Sequence, residues 1–350
     1  MKLQNIKLLK KLSEIPGTSG FEKPVREIII QELEGLADKI SVDNMGNVTA
    51  FRKGKSAKKV MIAAHMDEIG FIVNYIDEKG FIRFTPLGGF DPKTAVSMRV
   101  TVHGKKDLTG VIGAKPIHLM TQEERGKKVN LKDFFIDLGM KKKQVEKYIE
   151  IGNPITRQSK LIEMGNCING KSLDNRISVF ILIETLKRLK EKELPFDTYA
   201  VFTVQEEVGL RGVQAATMQI QPDFAFALDT TIAYDTPGAA SHQNITKLGS
   251  GVAIKIMDAG VISDSRIVRY MKEVAKNHKI KYQPELMLGG GTDAAKMQQM
   301  SKNGAVTGAV SIPTRHIHQI IESVHKSDVK AAINLLDFCI SELDDFDFEY

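Results

Sequence analysis

Five apolar residues in an unbroken run, Val60-Met61-Ile62-Ala63-Ala64, end abruptly on His65-Met66-Asp67-Glu68. A short continuous run of this kind suits a strand buried on both faces, the condition of a parallel sheet covered by helices. The same arrangement recurs along the chain. Tyr199 to Val204 is followed by Gln205-Glu206-Glu207, and Phe224 to Leu228 is followed by Asp229. A strand predicted from Ala305 to Ile312 is followed by Arg315-His316-Ile317-His318. In an open α/β sheet, ligands bind outside the carboxyl ends of the strands. Imidazoles and carboxylates far apart in sequence are therefore expected to converge.

Helical patterns surround these strands. Leu3, Ile6, Leu9 and Leu12 recur at helical spacing and stop before Pro16, and a second helix is predicted from Pro24 to Leu36. From Gly70 the texture changes to alternating segments such as Gly80 to Thr85 and Arg99 to His103, with turns at Asp77 to Gly80 and Gly104 to Asp107. This predicts half-exposed antiparallel strands. Helices are then expected from Asn175 to Lys190, near 264–277 and near 324–342. The expected organisation is an α/β domain of residues 1–69 and 167–350, interrupted by a β-rich insert of residues 70–166.

Several function classes are disfavoured. The two cysteines, Cys167 and Cys339, cannot build a disulfide framework or a thiolate zinc site, and they fit a reducing compartment. The formal charge of +6 is spread out, and its densest run, Lys141-Lys142-Lys143, has no interleaved aromatics. It reads as a solvated helix start, with no nucleic-acid partner. Lysines interrupt the N-terminal apolar residues, so no signal peptide is expected. The longest strong apolar run, Ile177 to Ile183 with Ser178 inside it, is too short to span a membrane. A cytoplasmic protein is expected. Zincin, nucleophile-elbow and Walker A motifs are absent. Gly289-Gly290-Gly291-Thr292-Asp293 lacks the lysine of a phosphate loop, and reads as a flexible substrate-facing turn.

Taken singly, each candidate has a plain structural reading. His65 suits a hydrogen-bonded loop residue, Asp174 an N-cap of the 175–190 helix, and Asp229 a turn with Thr230. Glu206 and Glu207 suit solvated acids, and His316 and His318 surface loop residues. Taken together they offer imidazoles and carboxylates without thiolates, a set that suits Zn²⁺, Co²⁺ or Mn²⁺. Adjacent residues of an extended chain point to opposite sides, so Glu206 and Glu207 need a local twist to serve one site.

As a set these segments resemble the glutamyl and tetrahedral aminopeptidase family of dinuclear metallopeptidases, some of whose members carry the label endoglucanase. The resemblance includes Ser19-Gly20-Phe21-Glu22, Asp43-Asn44-Met45-Gly46-Asn47 and His65 to Phe71. It continues through Gly170 to Arg176, Gln205 to Gly212, Gly289 to Asp293 and Ile312-Pro313-Thr314-Arg315. It implies an α/β fold with a mostly parallel central sheet flanked by helices, and an inserted β-rich dimerisation domain. It implies two divalent metal ions per subunit, Zn²⁺ or Co²⁺. His65 and Asp229 would belong to one metal, Glu207 and His318 to the other, with Asp174 as the bridging carboxylate. Glu206 would be the general base acting on a water that bridges the metals. Asp67 would orient His65. The family usually has Tyr where this chain has His316, and His318 stands at the family spacing from Arg315, so His316 remains a competitor.

The implied activity is removal of N-terminal residues from short peptides, by a homo-oligomer of dimers or of twelve subunits. Three rivals stand beside it. A deacylase or carboxypeptidase would use the same ligands, with Arg315 or Arg211 for a substrate carboxylate. A glycosidase would use Glu206 with a second acid and no metal. A noncatalytic scaffold would lack one of the expected residues.

Overall fold

The run Val60 to Ala64 is buried because it sits in the middle of a sheet with apolar cover on both faces. Val60, Ile62 and Ala64 point into one core and Met61 and Ala63 into another, as the two-residue period of a strand requires. The computed structural model describes residues 3–349. In it, the four strands Phe196–Thr203, Ser56–His65, Phe224–Ile232 and Val306–Arg315 lie side by side and parallel.

Antiparallel strands flank this centre. Val48–Arg52 and Lys39–Val42 extend one side. Glu322–His325, Cys167–Gly170 and Ile162–Met164 extend the other, completing an 11-stranded sheet with Val252–Met257 and Tyr282–Leu286. The sheet is therefore mixed, and the expectation of a mostly parallel sheet holds only for its centre. Continuous apolar runs mark strand segments covered on both faces, such as Val60 to Ala64 and Phe224 to Leu228 at the centre of the sheet.

Helix Leu173–Leu189 is buried around nearly its whole circumference because it lies against the sheet and beside helices Ile6–Glu14 and Lys326–Ser341. This explains the Ile177 to Ile183 run without a membrane, and no described helix is long and apolar enough to cross one. Helices Arg211–Ile220 and Ala294–Met300 cover the other face. Helix Ser265–Asn277 starts where Asp264 accepts the backbone N–H of Arg266, a cap that its sequence position fits.

The segment after Gly70 forms a closed six-stranded barrel. Its strands are Gly70–Ile76, Ile82–Leu87, Arg99–Val102, Leu108–Gly113, Phe135–Asp137 and Pro154–Arg157. Alternating residues such as Val73, Ile82, Phe84, Val100, Ile112 and Ile136 fill its interior. Closure leaves no open edge in this small sheet. The insert expected over 70–166 contributes its last strand, Ile162–Met164, to the large sheet rather than to the barrel. Phe84 and Phe134 belong to the barrel core, and Phe90 stacks on Phe71 at 4.4 Å between ring centroids.

Barrel and sheet meet over a knot of buried charge. Glu68 is fully buried, with Lys171 Nζ 2.7 Å away, Arg176 at 3.7 Å and Arg157 at 3.8 Å. Ser172 Oγ also donates to it. Burial pushes the Glu68 carboxyl up, but the three cations outweigh it and hold the group below its ordinary value. Removing one member of such a cluster leaves the others charged and unpaired in a dry interior. Glu68→Gln is expected to destabilise the protein by about 3–5 kcal/mol. The check is a lowered urea midpoint at unchanged slope. A loss of less than about 1 kcal/mol would show that the cations find other partners.

Candidate active site

The central strands deliver their last residues to one place. Thr203 pairs with His65 at the strand ends, and Leu228 pairs with Ala64, which sets Asp229 level with His65. Beyond Thr203 the chain turns through Gln205, whose φ of 55° is left-handed. This is the twist that two adjacent glutamates require, and both Glu206 and Glu207 line the same cleft. Asp67 holds the turn. Its carboxylate accepts the backbone N–H groups of Glu206 at 3.1 Å and Glu207 at 3.2 Å, and the Ser19 hydroxyl at 2.6 Å.

Asp174 departs from the sequence reading of a helix cap. Asp174 and Asn175 have non-helical backbone, the peptide bond between them is cis, and the carboxylate turns into the site. One oxygen lies 3.4 Å from His65 Nε2 and the other 3.3 Å from His318 Nε2. The Asp174 N–H donates to Glu322 at 2.8 Å, and Asn175 Nδ2 donates to the Leu228 carbonyl at 2.9 Å. The bend is thus held from two sides.

The two imidazoles face the carboxylates. His65 Nε2 is 3.6 Å from Asp229 and 3.9 Å from Glu206, while Nδ1 faces Asp67, 3.2 Å from its carbonyl and 3.4 Å from its carboxylate. His318 Nε2 is 3.4 Å from Glu207. His316 lines the same cleft and is exposed. Every predicted site residue is therefore drawn to one locus, with His318 rather than His316 against the acids.

The electrostatics are those of an excess of acid. Asp174, Glu206, Glu207 and Asp229 line the cleft, and none of the described lysines or arginines does. Burial, reinforced by Asp174, pushes Glu207 up to about 8, and burial with Asp229 and Glu207 nearby raises Glu206 well above its ordinary value. Burial disfavours a charged His65, but Glu206, Asp174, Asp229 and Asp67 outweigh it and raise the ring well above its usual range. His318 rises to about 9, against burial, through Asp174 and Glu207. Asp174 moves the other way, because hydrogen bonds with His318 and His65 overcome burial.

Three features fit divalent cations. His65, Glu206 and Asp229 form one group whose donor atoms lie within 4.8 Å of one another, and His65, Asp174 and Glu207 form a second. Glu207 Oε1 is buried without a hydrogen-bond partner. The donors are nitrogen and oxygen only, a set for zinc, cobalt or manganese.

Sequence reasoning assigned no role to two further acids. Asp293 is buried, accepts the Thr203 hydroxyl at 2.6 Å, and is pushed by burial and by Asp229 and Asp67 up to about 7. Its signal was the motif Gly289 to Asp293, whose glycines do line the cleft. Glu322, which holds the Asp174 backbone, carried no signal, since an acid in a short strand looks ordinary.

Imidazoles and carboxylates gathered at the strand ends of a large α/β sheet, with no thiolate among them, are a donor set that could hold a divalent cation. The chain belongs to the M42 glutamyl aminopeptidase family, whose model matches residues 46–335, and it is accordingly an aminopeptidase. It is 34% identical over 348 residues to the lysyl aminopeptidase of Pyrococcus furiosus, covering 97% of this chain and 98% of that one. The TET aminopeptidase of the marine sediment archaeon Thaumarchaeota archaeon SCGC AB-539-E09 superimposes with a TM-score of 0.94 at 37% identity, over 97% of this chain and 96% of that one. The TET1 peptidase of Pyrococcus horikoshii, which can assemble into a tetrahedron or a large octahedral shell, gives a TM-score of 0.86 at 33% identity, over 96% and 99%.

Partners that orient a ligand commonly contribute 10–100-fold to metal affinity. Asp67→Ala is expected to weaken zinc or cobalt binding by roughly that factor, measured by calorimetric titration of the metal-stripped protein. In the same titration His318→Ala is expected to weaken metal binding and His316→Ala to leave it unchanged. The reverse pattern would move the ligand to His316.

Proposed function

We propose that the protein removes N-terminal residues from short peptides with two divalent cations, Zn²⁺ or Co²⁺. His65 and Asp229 would hold one and Glu207 and His318 the other, with Asp174 available to both. The observation that carries this reading is the Asp174 carboxylate, whose two oxygens face His65 at 3.4 Å and His318 at 3.3 Å. When bound, the cations supply Lewis acidity, polarising the scissile carbonyl and making water a stronger acid.

The remaining work falls to the chain. With Asp174 shared, His65 and Asp229 complete one set and Glu207 and His318 the other. Glu206 is left beside both, and it takes the proton of the attacking water and returns it to the leaving amine. Asp67 positions the base as well as His65, because it holds the Glu206 and Glu207 backbone. The Asp293 carboxylate, hydrogen-bonded by Thr203, backs the same loop.

The reading as an aminopeptidase is favoured over one that grips a substrate carboxylate. Arg315, a candidate for that grip, is engaged by Asp235 at 2.7 and 2.8 Å, and Arg211 does not line the cleft. The deacylase alternative needs no such grip and is separated by substrate. The assembly we propose is a homo-oligomer of dimers joined through the insert of residues 70–166, building toward a twelve-subunit shell. Exposed apolar residues on that insert, Ile117, Leu119 and Ile151 among them, support it, as does the shell of the Pyrococcus horikoshii relative.

Metal-stripped protein is expected to be inactive and to recover with zinc or cobalt, cleaving free-amine aminoacyl amides and sparing their N-acetylated forms. Cleavage of the acetylated series would replace this reading with a deacylase. Glu206→Gln is expected to lower kcat by roughly 10²–10⁴-fold, with both cations still bound by elemental analysis. Retention of more than about a tenth of kcat would assign the proton transfer elsewhere.

A further inference from the structure

Away from the metal-binding end, the cleft changes character. It encloses about 1290 Å³ and runs from the site acids past Ile232 and Tyr234 to the turn at Leu286 to Leu288 and to Ile317. Among the described residues, Asp174, Glu206, Glu207 and Asp229, all at the site itself, are its only aspartates or glutamates; no described lysine or arginine lines it, and beyond the site acids its ionisable groups are the imidazoles of His65, His242, His316 and His318. Its outer wall is apolar and wet: Ile232 is 41% exposed, Tyr234 40%, Leu286 52% and Leu288 84%. Large apolar residues gathered in one exposed patch mark a surface that binds something apolar.

Charged groups on the strands that carry that wall pair among themselves. Lys255 is buried between Glu285 at 2.5 Å and Asp258 at 3.1 Å. The Glu285 oxygen that meets Lys255 also accepts the Thr231 hydroxyl at 2.6 Å, and the side chain is fully buried. Arg315 and Asp235 neutralise one another. A glutamyl or lysyl side chain seated against the wall of Ile232, Tyr234, Leu286 and Leu288 would give up water there without gaining a carboxylate, ammonium or guanidinium partner from that wall, which is costly. An aliphatic or aromatic side chain would bury apolar surface against an apolar wall, which is favourable.

We infer that this cleft selects substrates whose N-terminal side chain is uncharged and apolar, with Ile232, Tyr234, Leu286 and Leu288 as the selecting wall. The inference rests on the aminopeptidase reading above. It also departs from the charged residues in the names of the family and of the Pyrococcus furiosus relative.

The test is kcat/KM of the metal-loaded, full-length protein on leucyl, methionyl, phenylalanyl, glutamyl and lysyl p-nitroanilides. The apolar substrates are expected to lead the charged ones by at least roughly tenfold, the scale on which a pocket discriminates side chains. Ile232→Lys and Leu286→Lys, each checked for metal content and melting temperature, are expected to shift the glutamyl-to-leucyl ratio toward glutamyl by at least about tenfold in one or both. A native preference for glutamyl or lysyl substrates overturns the inference. An apolar preference that neither variant alters overturns the assignment to this wall. Failure to cleave any of the free-amine substrates in any metal form is a different result, and it removes the aminopeptidase reading together with the inference built on it.

Discussion

The site is organised around one buried carboxylate, Asp67. It faces His65, receives the Ser19 hydroxyl, and accepts the backbone of both Glu206 and Glu207. A carboxylate with so many donors is held firmly ionised, and here it sits lower than its ordinary value although burial opposes this and the His65 ring must help overcome it. The consequence is geometric. The N-terminal segment, the end of the central strand and the loop bearing the proposed base are tied to the same two oxygen atoms.

A second system of charge joins the barrel to the same site. Arg157 ends the last barrel strand and is fully buried. It donates to the Gln319 carbonyl, one residue from His318, and to Glu322 at 3.4 Å. Glu322 in turn accepts the Asp174 N–H. With Glu68 lying 3.8 Å from the same guanidinium, the barrel is fastened beside the residues that bracket the two proposed cations. An arginine suits this position because its planar fork serves several acceptors at once without losing its charge.

Local pattern was enough to find the buried strands and the donors that end them, since burial on both faces leaves a continuous apolar run. Convergence of His65, Glu206, Glu207, Asp229 and His318 followed from the rule that such strands present their carboxyl ends to ligands. What local pattern could not carry was pairing. Barrel closure depends on contacts such as Val100 with Arg157, and the antiparallel flanks depend on Glu322–His325 reaching Cys167–Gly170. The role of Glu322 shares that difficulty, because it exists only once the chain has returned to Asp174. Taken singly, Asp174 reads as a helix cap, and only the resemblance turned it into the site; local pattern is silent because its backbone conformation is set from outside, by Glu322 and by the strand that Asn175 reaches.

The central strand has a further consequence for the birth of the molecule. Its neighbours in the sheet are supplied by Phe196–Thr203 and Phe224–Ile232, and the bond from Glu206 to Asp67 spans 139 residues of chain. Such long-range pairing is slow, because the loop must close before any contact rewards it. On the ribosome, Val60 to Ala64 emerges with two apolar faces and neither partner strand yet made. At ordinary rates of synthesis that interval is on the order of ten seconds or more. For that time an apolar run that is wholly buried in the finished protein stands open to water, an aggregation hazard that lasts until its partner strands are made.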